Sequence, residues 1–164
     1  MGIEFHHLGL VEQAREFFVQ DAEHWYMMAL QQWEETGDRR SEGDECRQLG
    51  VLFHEQKELD KAEEWYIRAK DIFEEIQDLN RICRTYGQLG MIAEERDDVP
   101  GALTWAARTY QMANANSLQV LIQAKAHLAR LKEKFGEEDF NTWWQEFAGE
   151  PPPADLDVDP ETVL

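Results

Sequence analysis

The chain has 164 residues and a formal net charge of −18, because 34 Asp and Glu residues outnumber 16 Lys and Arg residues. So acidic a chain lacks the clustered cations that bind a phosphate backbone, which argues against a nucleic-acid partner. No apolar run approaches the roughly 18 residues that span a membrane, and no signal peptide is visible, so no membrane partner is expected.

A short motif, a bulky residue and then Leu-Gly three positions on, occurs three times along the chain. The motif glycines are Gly9, Gly50 and Gly90, which lie 41 and then 40 residues apart. A second motif follows each copy and begins at Ala22, Ala62 and Ala102. A fixed period in this range predicts a stacked repeat architecture.

The spacing within the motifs is helical. Ala62, Tyr66 and Ala69 lie four and seven positions apart and therefore share one helix face. Gly50 and Ala62 would let two helices approach closely, while Tyr66 and Phe53 fill the adjoining space. We predict an all-α protein, an α-solenoid of about four antiparallel helix pairs. The predicted repeat domain spans residues 1–149, with repeats 1–39, 40–78 and 79–116 and a degenerate capping unit at 117–149.

Several residues mark the ends of the predicted helices. Pro100 suits the first turn of a helix, where its missing N–H is harmless. Asp60 and Asp98 are predicted N-caps of the second helices of their repeats. Pro151, Pro152 and Pro153 would end the last helix, and the acidic tail 150–164 is expected to be disordered because it lacks hydrophobic periodicity.

The second repeat resembles the tetratricopeptide repeat family, since Leu49-Gly50-x-x-Phe53 is followed by Ala62-x-x-x-Tyr66-x-x-Ala69. HEAT and armadillo repeats have similar periods but lack this signature. The usual tetratricopeptide repeat has about 34 residues, so the longer period resembles that of kinesin light chains, polarity adaptors and bacterial signalling proteins. The resemblance implies a right-handed superhelix and a non-enzymatic module that binds a peptide or partner protein in its concave groove.

The end of the repeat region suggests an alternative function. Residues 127–153 resemble the closing segment of repeat arrays in bacterial signalling NTPases. The chain would then be a sensor or scaffold segment of a larger regulatory NTPase. A third alternative is a structural repeat that self-assembles into homo-oligomers through its solenoid ends or through a stripe of Trp25, Trp65 and Trp105.

The tetratricopeptide resemblance also implies which residues face the groove, counted from each repeat glycine. The predicted partner-binding residues are His6, Leu10, Arg47, Val51, His54, Arg84, Met91 and Arg130. The three arginines could hold a peptide carboxylate, or each could pair with a neighbouring acid such as Asp44 or Glu94; both interpretations stay open. The Lys/Asn clamp of chaperone-binding members is not present, because Val51 stands where its Asn would be.

No residue pattern indicates catalysis, a metal or a cofactor. His6, His54 and His127 lie about one repeat apart, roughly 10 Å, which is too far for a shared zinc ion. Cys46 and Cys83 are predicted to be buried free thiols, which fits a reducing cytoplasm. Of the adjacent pair Trp143 and Trp144, one should pack inward and seal the end of the core.

Overall fold

The computed structural model describes residues 21–149, 151–153 and 156. Helical residues 21–36 are named α1. The helices that follow are α2 (Arg39–Glu55), α3 (Leu59–Glu75), α4 (Leu79–Glu95), α5 (Val99–Ala115), α6 (Leu121–Phe135) and α7 (Glu137–Ala148). The described residues contain no strand, and the all-α prediction is confirmed.

The chain divides into two compact units, Met1–Ile76 and Gln77–Leu164. In the described part, unit 1 holds α1, α2 and α3, and unit 2 holds α4 to α7. The boundary lies next to the predicted boundary between the second and third repeats. None of the helices in the described residues is long and apolar enough to cross a bilayer.

The backbone follows a rhythm of 20 residues, half the period read from the sequence. Helices α2 to α5 each have 17 residues and begin at positions 39, 59, 79 and 99. Each ends in a left-handed residue, Lys57, Gln77, Asp97 or Ser117, and the same conformation is found at Gly37 after α1. After α2, the Lys57 N–H donates to His54 O at 3.0 Å and the Glu58 N–H donates to Phe53 O at 2.9 Å. This is the Schellman motif, which turns the chain directly into the next helix.

The turn also fixes where each following helix is capped. The side chains of Asp38, Asp78 and Asp98 accept hydrogen bonds from the backbone N–H three residues on. The N-cap prediction is therefore confirmed for Asp98, and Pro100 lies in the first turn of α5 as expected. The prediction for Asp60 is wrong, because the same turn places Glu58 at the N-cap of α3, without a side-chain cap hydrogen bond.

Unit 1 is held together by bulky side chains of α3 that pack onto glycines of α2. A Cβ atom placed on Gly50 would lie 2.5 Å from the Tyr66 ring, and one on Gly43 would lie 2.5 Å from the Phe73 ring. Tyr66 and Phe73 are both fully buried. As the contact moves forward along α2 it moves back along α3, so the two helices are antiparallel. The predicted close approach at Gly50 is confirmed.

Unit 2 has an aromatic core where α5, α6 and α7 meet. Phe140 and Trp144 of α7 are buried together with Tyr110 of α5. Trp143 is half-buried and stacks on Phe147 at a centroid distance of 4.9 Å. The prediction that one of the paired tryptophans packs inward is confirmed, and that residue is Trp144.

The segment after α7 departs from the sequence expectations in two ways. Helix α7 ends at Ala148 and Gly149 adopts a left-handed φ of 71°, so the helix stops before the three prolines. Leu156 is 2% exposed and belongs to the core cluster of unit 2, so the expected disorder does not hold at this residue. A single apolar side chain carries no periodicity, which is why the sequence pattern did not reveal its burial.

Candidate functional site

One face of α4 is open and carries two of the predicted groove residues. Arg84, Gly87 and Met91 lie three and four positions apart and therefore share this face, which we name the α4 face. Arg84 is exposed and forms no hydrogen bond or ion pair within the described part of the chain. Met91 is 46% exposed. A Cβ atom on Gly87 would have nothing within 4 Å, so the helix backbone is bare between the two side chains.

A cluster of three polar side chains continues this surface towards α6. Arg130 of α6 donates two hydrogen bonds to the Glu94 carboxylate of α4, at 2.8 and 2.7 Å. Nε2 of His127 lies 2.7 Å from Oε1 of the same carboxylate. Burial acts to raise the pKa of Glu94, but the hydrogen bonds from Arg130 and His127 outweigh burial and hold the pKa below its ordinary value.

This cluster decides between the two interpretations of Arg130. Its guanidinium already holds a carboxylate of unit 2 in bidentate geometry, as the second alternative expected. A partner's carboxylate would have to displace Glu94, whose side chain is only 11% exposed. Arg130 therefore closes one end of the α4 face, and Arg84 is the cation that remains available on it.

The ring of Trp105 helps to form the floor beside the cluster. A Cβ atom on Gly90 would lie 3.5 Å from both His127 Cε1 and Trp105 Cβ. The Trp105 ring packs on Tyr86 with centroids 5.2 Å apart, and Arg108 lies over its ring. The glycine of the third repeat thus faces the polar cluster as well as the helix pair.

These contacts correct the predicted tryptophan stripe. Trp25 is 69% exposed, but Trp65 and Trp105 are half-buried. Arg68 covers the ring of Trp65 at 5.5 Å, much as Arg108 covers that of Trp105. The three side chains are therefore not equivalent, and only Trp25 is an exposed aromatic.

The predicted residues of α2 lie in unit 1 and are less accessible. Arg47 and Val51 are half-buried, and His54 is 9% exposed with its ring edge-on to Tyr66 at 6.3 Å. Burial raises the pKa of the Tyr66 hydroxyl, and the charge of Arg47 opposes that rise. Little of His54 can reach a partner. The two predicted groove residues of the first repeat, His6 and Leu10, lie outside the described residues.

Unit 1 contains a buried acid that sequence reasoning missed. The Glu42 side chain is 6% exposed and accepts a hydrogen bond from Arg39 at 2.5 Å, and Arg68 lies 3.4 Å away. Arg39 also pairs with Glu75, and Arg68 with Glu34, so the network joins α1, α2 and α3. A signal was available, because Glu42 occupies the position that the apolar Ile82 takes one repeat later.

A cleft of about 390 Å³ borders this network. It lies between α1 and α3, and its exposed methionine pair, Met27 and Met28, is a signal that sequence reasoning also passed over. Its lining residues are His24, Met27, Met28, Leu30, Gln31, Glu34 and Arg68.

The reactive side chains give no sign of a catalytic or metal centre. In the described ranges, no group of three or more His, Cys, Asp or Glu residues is arranged to hold a metal ion. Cys46 and Cys83 are free and buried, as predicted. Burial raises the pKa of the Cys46 thiol to about 12 and that of Cys83 to about 11, so neither is an activated nucleophile.

Helix hairpins joined by identical turns define an all-α helical-repeat protein, and the comparisons with known proteins agree. Residues 45–115 match the family model described as Tetratricopeptide repeat. This match supports the tetratricopeptide interpretation of the second and third repeats, and such repeats generally serve as protein-interaction modules. It favours a scaffold over an enzyme.

The fold is also found in a solved structure. The crystal structure of BtubC (BKLC) from P. vanneervenii is similar over 89% of this chain and 64% of that one, with a TM-score of 0.63 and 18% sequence identity. At this identity the likeness establishes the fold alone, and the chain spans 64% of the length of that protein. No curated protein matches the sequence. Neither comparison bears on the expected resemblance to NTPase repeat arrays.

Proposed function

We propose that the protein is a non-enzymatic interaction module and that the α4 face of unit 2 binds a peptide segment of a partner protein. The observation that carries this proposal is the bare backbone at Gly87, between exposed Arg84 and exposed Met91. A glycine inside a helix costs roughly 0.5–1 kcal/mol relative to alanine. No neighbouring side chain needs the space above Gly87, so packing gives no reason for that cost. Close approach of a partner's backbone does.

The chemistry of the α4 face indicates what the peptide presents. Arg84 suits a carboxylate, which a guanidinium holds through two parallel hydrogen bonds. Met91 offers a flexible apolar contact that adapts to different side chains. Because the protein carries a net charge of −18, a run of acids would be repelled. We therefore expect a ligand with one acidic and one apolar side chain on either side of a stretch that lies against Gly87.

A random peptide library displayed against the wild-type protein tests the proposal. The selected peptides are then titrated by calorimetry against Arg84→Ala, Met91→Ala and a matched control, Arg108→Ala, on α5. A hydrogen bond to a charged group contributes about 1.5–3 kcal/mol, so Arg84→Ala should weaken binding about tenfold or more. Arg108→Ala should leave binding unchanged. Selected peptides that bind all variants equally would show that the α4 face is not the binding surface.

Gly87→Ala separates binding from folding. The added methyl group has open space, so α4 should become more stable by about 0.5–1 kcal/mol. The same methyl group stands where the peptide backbone would approach, so affinity should fall. A variant that gains stability and keeps full affinity would contradict the proposed role of Gly87.

We also propose that the repeats are of the longer form. Helices of 17 residues that begin every 20 residues support a unit of 40 rather than about 34. The free buried thiols Cys46 and Cys83 support a location in the reducing cytoplasm.

A further inference from the structure

The segment after α7 folds back onto unit 2 through one leucine. Gly149 takes a left-handed conformation, with a φ of 71°, and turns the chain away from the helix axis. The Leu156 N–H then donates to the Pro153 carbonyl at 3.3 Å, which closes a second turn. The Leu156 side chain is buried in the same cluster as Tyr110 of α5 and Phe140 of α7.

The place that Leu156 fills has the character of a small binding recess, which we name the Leu156 recess. Its walls are the buried aromatic rings of Tyr110, Phe140 and Trp144. The indole N–H of Trp144 is buried and has no acceptor among the described residues. Trp143, half-buried, packs against the same cluster. An apolar side chain flanked by a hydrogen-bond acceptor matches this chemistry.

We infer that the Leu156 recess is a self-association site in which a second copy of this chain places its own Leu156. The ligand is argued from the structure, because Leu156 is the group that the recess already holds. The same segment can reach the recess of a second copy if the hinge at Gly149 opens, which is exchange of an identical element between two copies. This inference concerns α5 to α7 and does not rest on peptide binding by the α4 face.

The hinge sets the balance between the closed chain and the exchanged dimer. A short tether holds its ligand at an effective concentration of about millimolar, so the closed monomer should dominate in dilute wild-type protein. A Cβ atom on Gly149 would meet nothing within 4 Å, but its φ of 71° is one that L side chains rarely adopt. Alanine at this position therefore strains the closed hinge and creates no clash.

Sedimentation velocity of the full chain tests the inference. Wild type should sediment as a monomer, and Gly149→Ala should shift towards a dimer as concentration rises. The double variant Gly149→Ala, Leu156→Glu should return to monomer, because a carboxylate cannot be buried in the recess. Gly37→Ala is the matched control. Gly37 has the same φ of 71° and the same open space, but it lies in unit 1 and should not cause dimerisation.

Each other outcome overturns the inference. A Gly149→Ala variant that keeps its helical circular dichroism and stays monomeric would show that the recess takes only its own chain. A dimer or aggregate that persists after Leu156→Glu would place the association elsewhere. Dimerisation of Gly37→Ala to the same extent would indicate general destabilisation. Loss of helical signal in both Gly149 variants would make Leu156 a fixed part of the fold.

Discussion

The hairpins α2–α3 and α4–α5 have the same backbone but fill the space between their helices in opposite ways. In α2–α3, the first helix supplies small residues and the second supplies Tyr66 and Phe73. Forty residues on, Ala106 and Ala113 replace those rings, and Tyr86 on α4 stands where α2 has Cys46. All these residues are buried, so volume has moved from one side of the interface to the other. The repeat is maintained by total volume and helix length more than by residue identity.

The comparison extends to the polar residues of each hairpin. The second repeat buries the acid Glu42 within a network of arginines, where the third buries the apolar Ile82. The third repeat instead places its acid, Glu94, at the edge of the α4 face. One hairpin uses its charges to join helices. The other keeps an exposed arginine and a bare glycine on an open surface, and this is the hairpin to which we assign binding.

Removal of the Tyr66 ring should have the largest effect. Truncation of a buried aromatic to alanine costs about 3–5 kcal/mol, and Tyr66→Ala should therefore unfold or severely weaken unit 1. Hydrogen exchange should show the loss in the amides of α2 and α3. Ile67→Ala, at a neighbouring residue that is 39% exposed, is the control and should cost far less.

A second substitution sharpens the volume comparison. If the two hairpins are alternative ways to fill one space, Cys46→Tyr should recover part of the stability lost in Tyr66→Ala, since it recreates the α4–α5 arrangement. Urea denaturation of the single and double variants measures the recovery. A double variant less stable than Tyr66→Ala would show that the hairpins differ in more than the side that supplies the ring.

The two repeat glycines should respond differently to alanine. Gly50→Ala forces a methyl group to within 2.5 Å of the Tyr66 ring and should cost about 1–3 kcal/mol through overpacking. Gly90→Ala meets its nearest neighbours at 3.5 Å, an ordinary contact, and should be neutral or stabilising by up to about 1 kcal/mol through helix propensity. Thermal unfolding of the pair measures the difference. Equal destabilisation by both variants would contradict it.

These responses show how far the sequence could predict the structure. The spacing of Leu49, Gly50, Ala62 and Tyr66 predicted the helix pair and its close approach, because each residue is read against a repeating pattern. The N-cap of α3 was missed, since Glu58 follows a left-handed turn that no glycine marks. Leu156 was missed because one apolar residue among acids has no period. The groove positions could be counted from the repeat glycine, but the pairing of Arg130 with Glu94 depends on two side chains 36 residues apart.

The Glu94 cluster should make the stability of unit 2 dependent on pH. The pKa of Glu94 lies below its ordinary value of 4.5, so its stabilisation is present above about pH 4.5 and is lost as pH falls through the lower folded-state pKa. Glu94→Gln should cost about 1 kcal/mol at neutral pH and reduce this acid sensitivity. Urea denaturation between pH 3 and pH 7 (about the range in which carboxylates titrate) measures it. Glu133→Gln, an exposed acid of α6, should leave the pH dependence unchanged.

The smallest effect concerns the turns that the hairpins share. Ser117 holds a φ of 52°, which disfavours residues with a Cβ atom, so Ser117→Gly should stabilise the turn after α5 by about 0.5–1 kcal/mol. Gly37→Ala makes the reverse change in the turn after α1 and should destabilise it by a similar amount. Chemical denaturation of both variants checks the signs. If Ser117→Gly is neutral or destabilising, the left-handed turns carry no strain, and their 20-residue recurrence must have another cause than the relief that glycine would give.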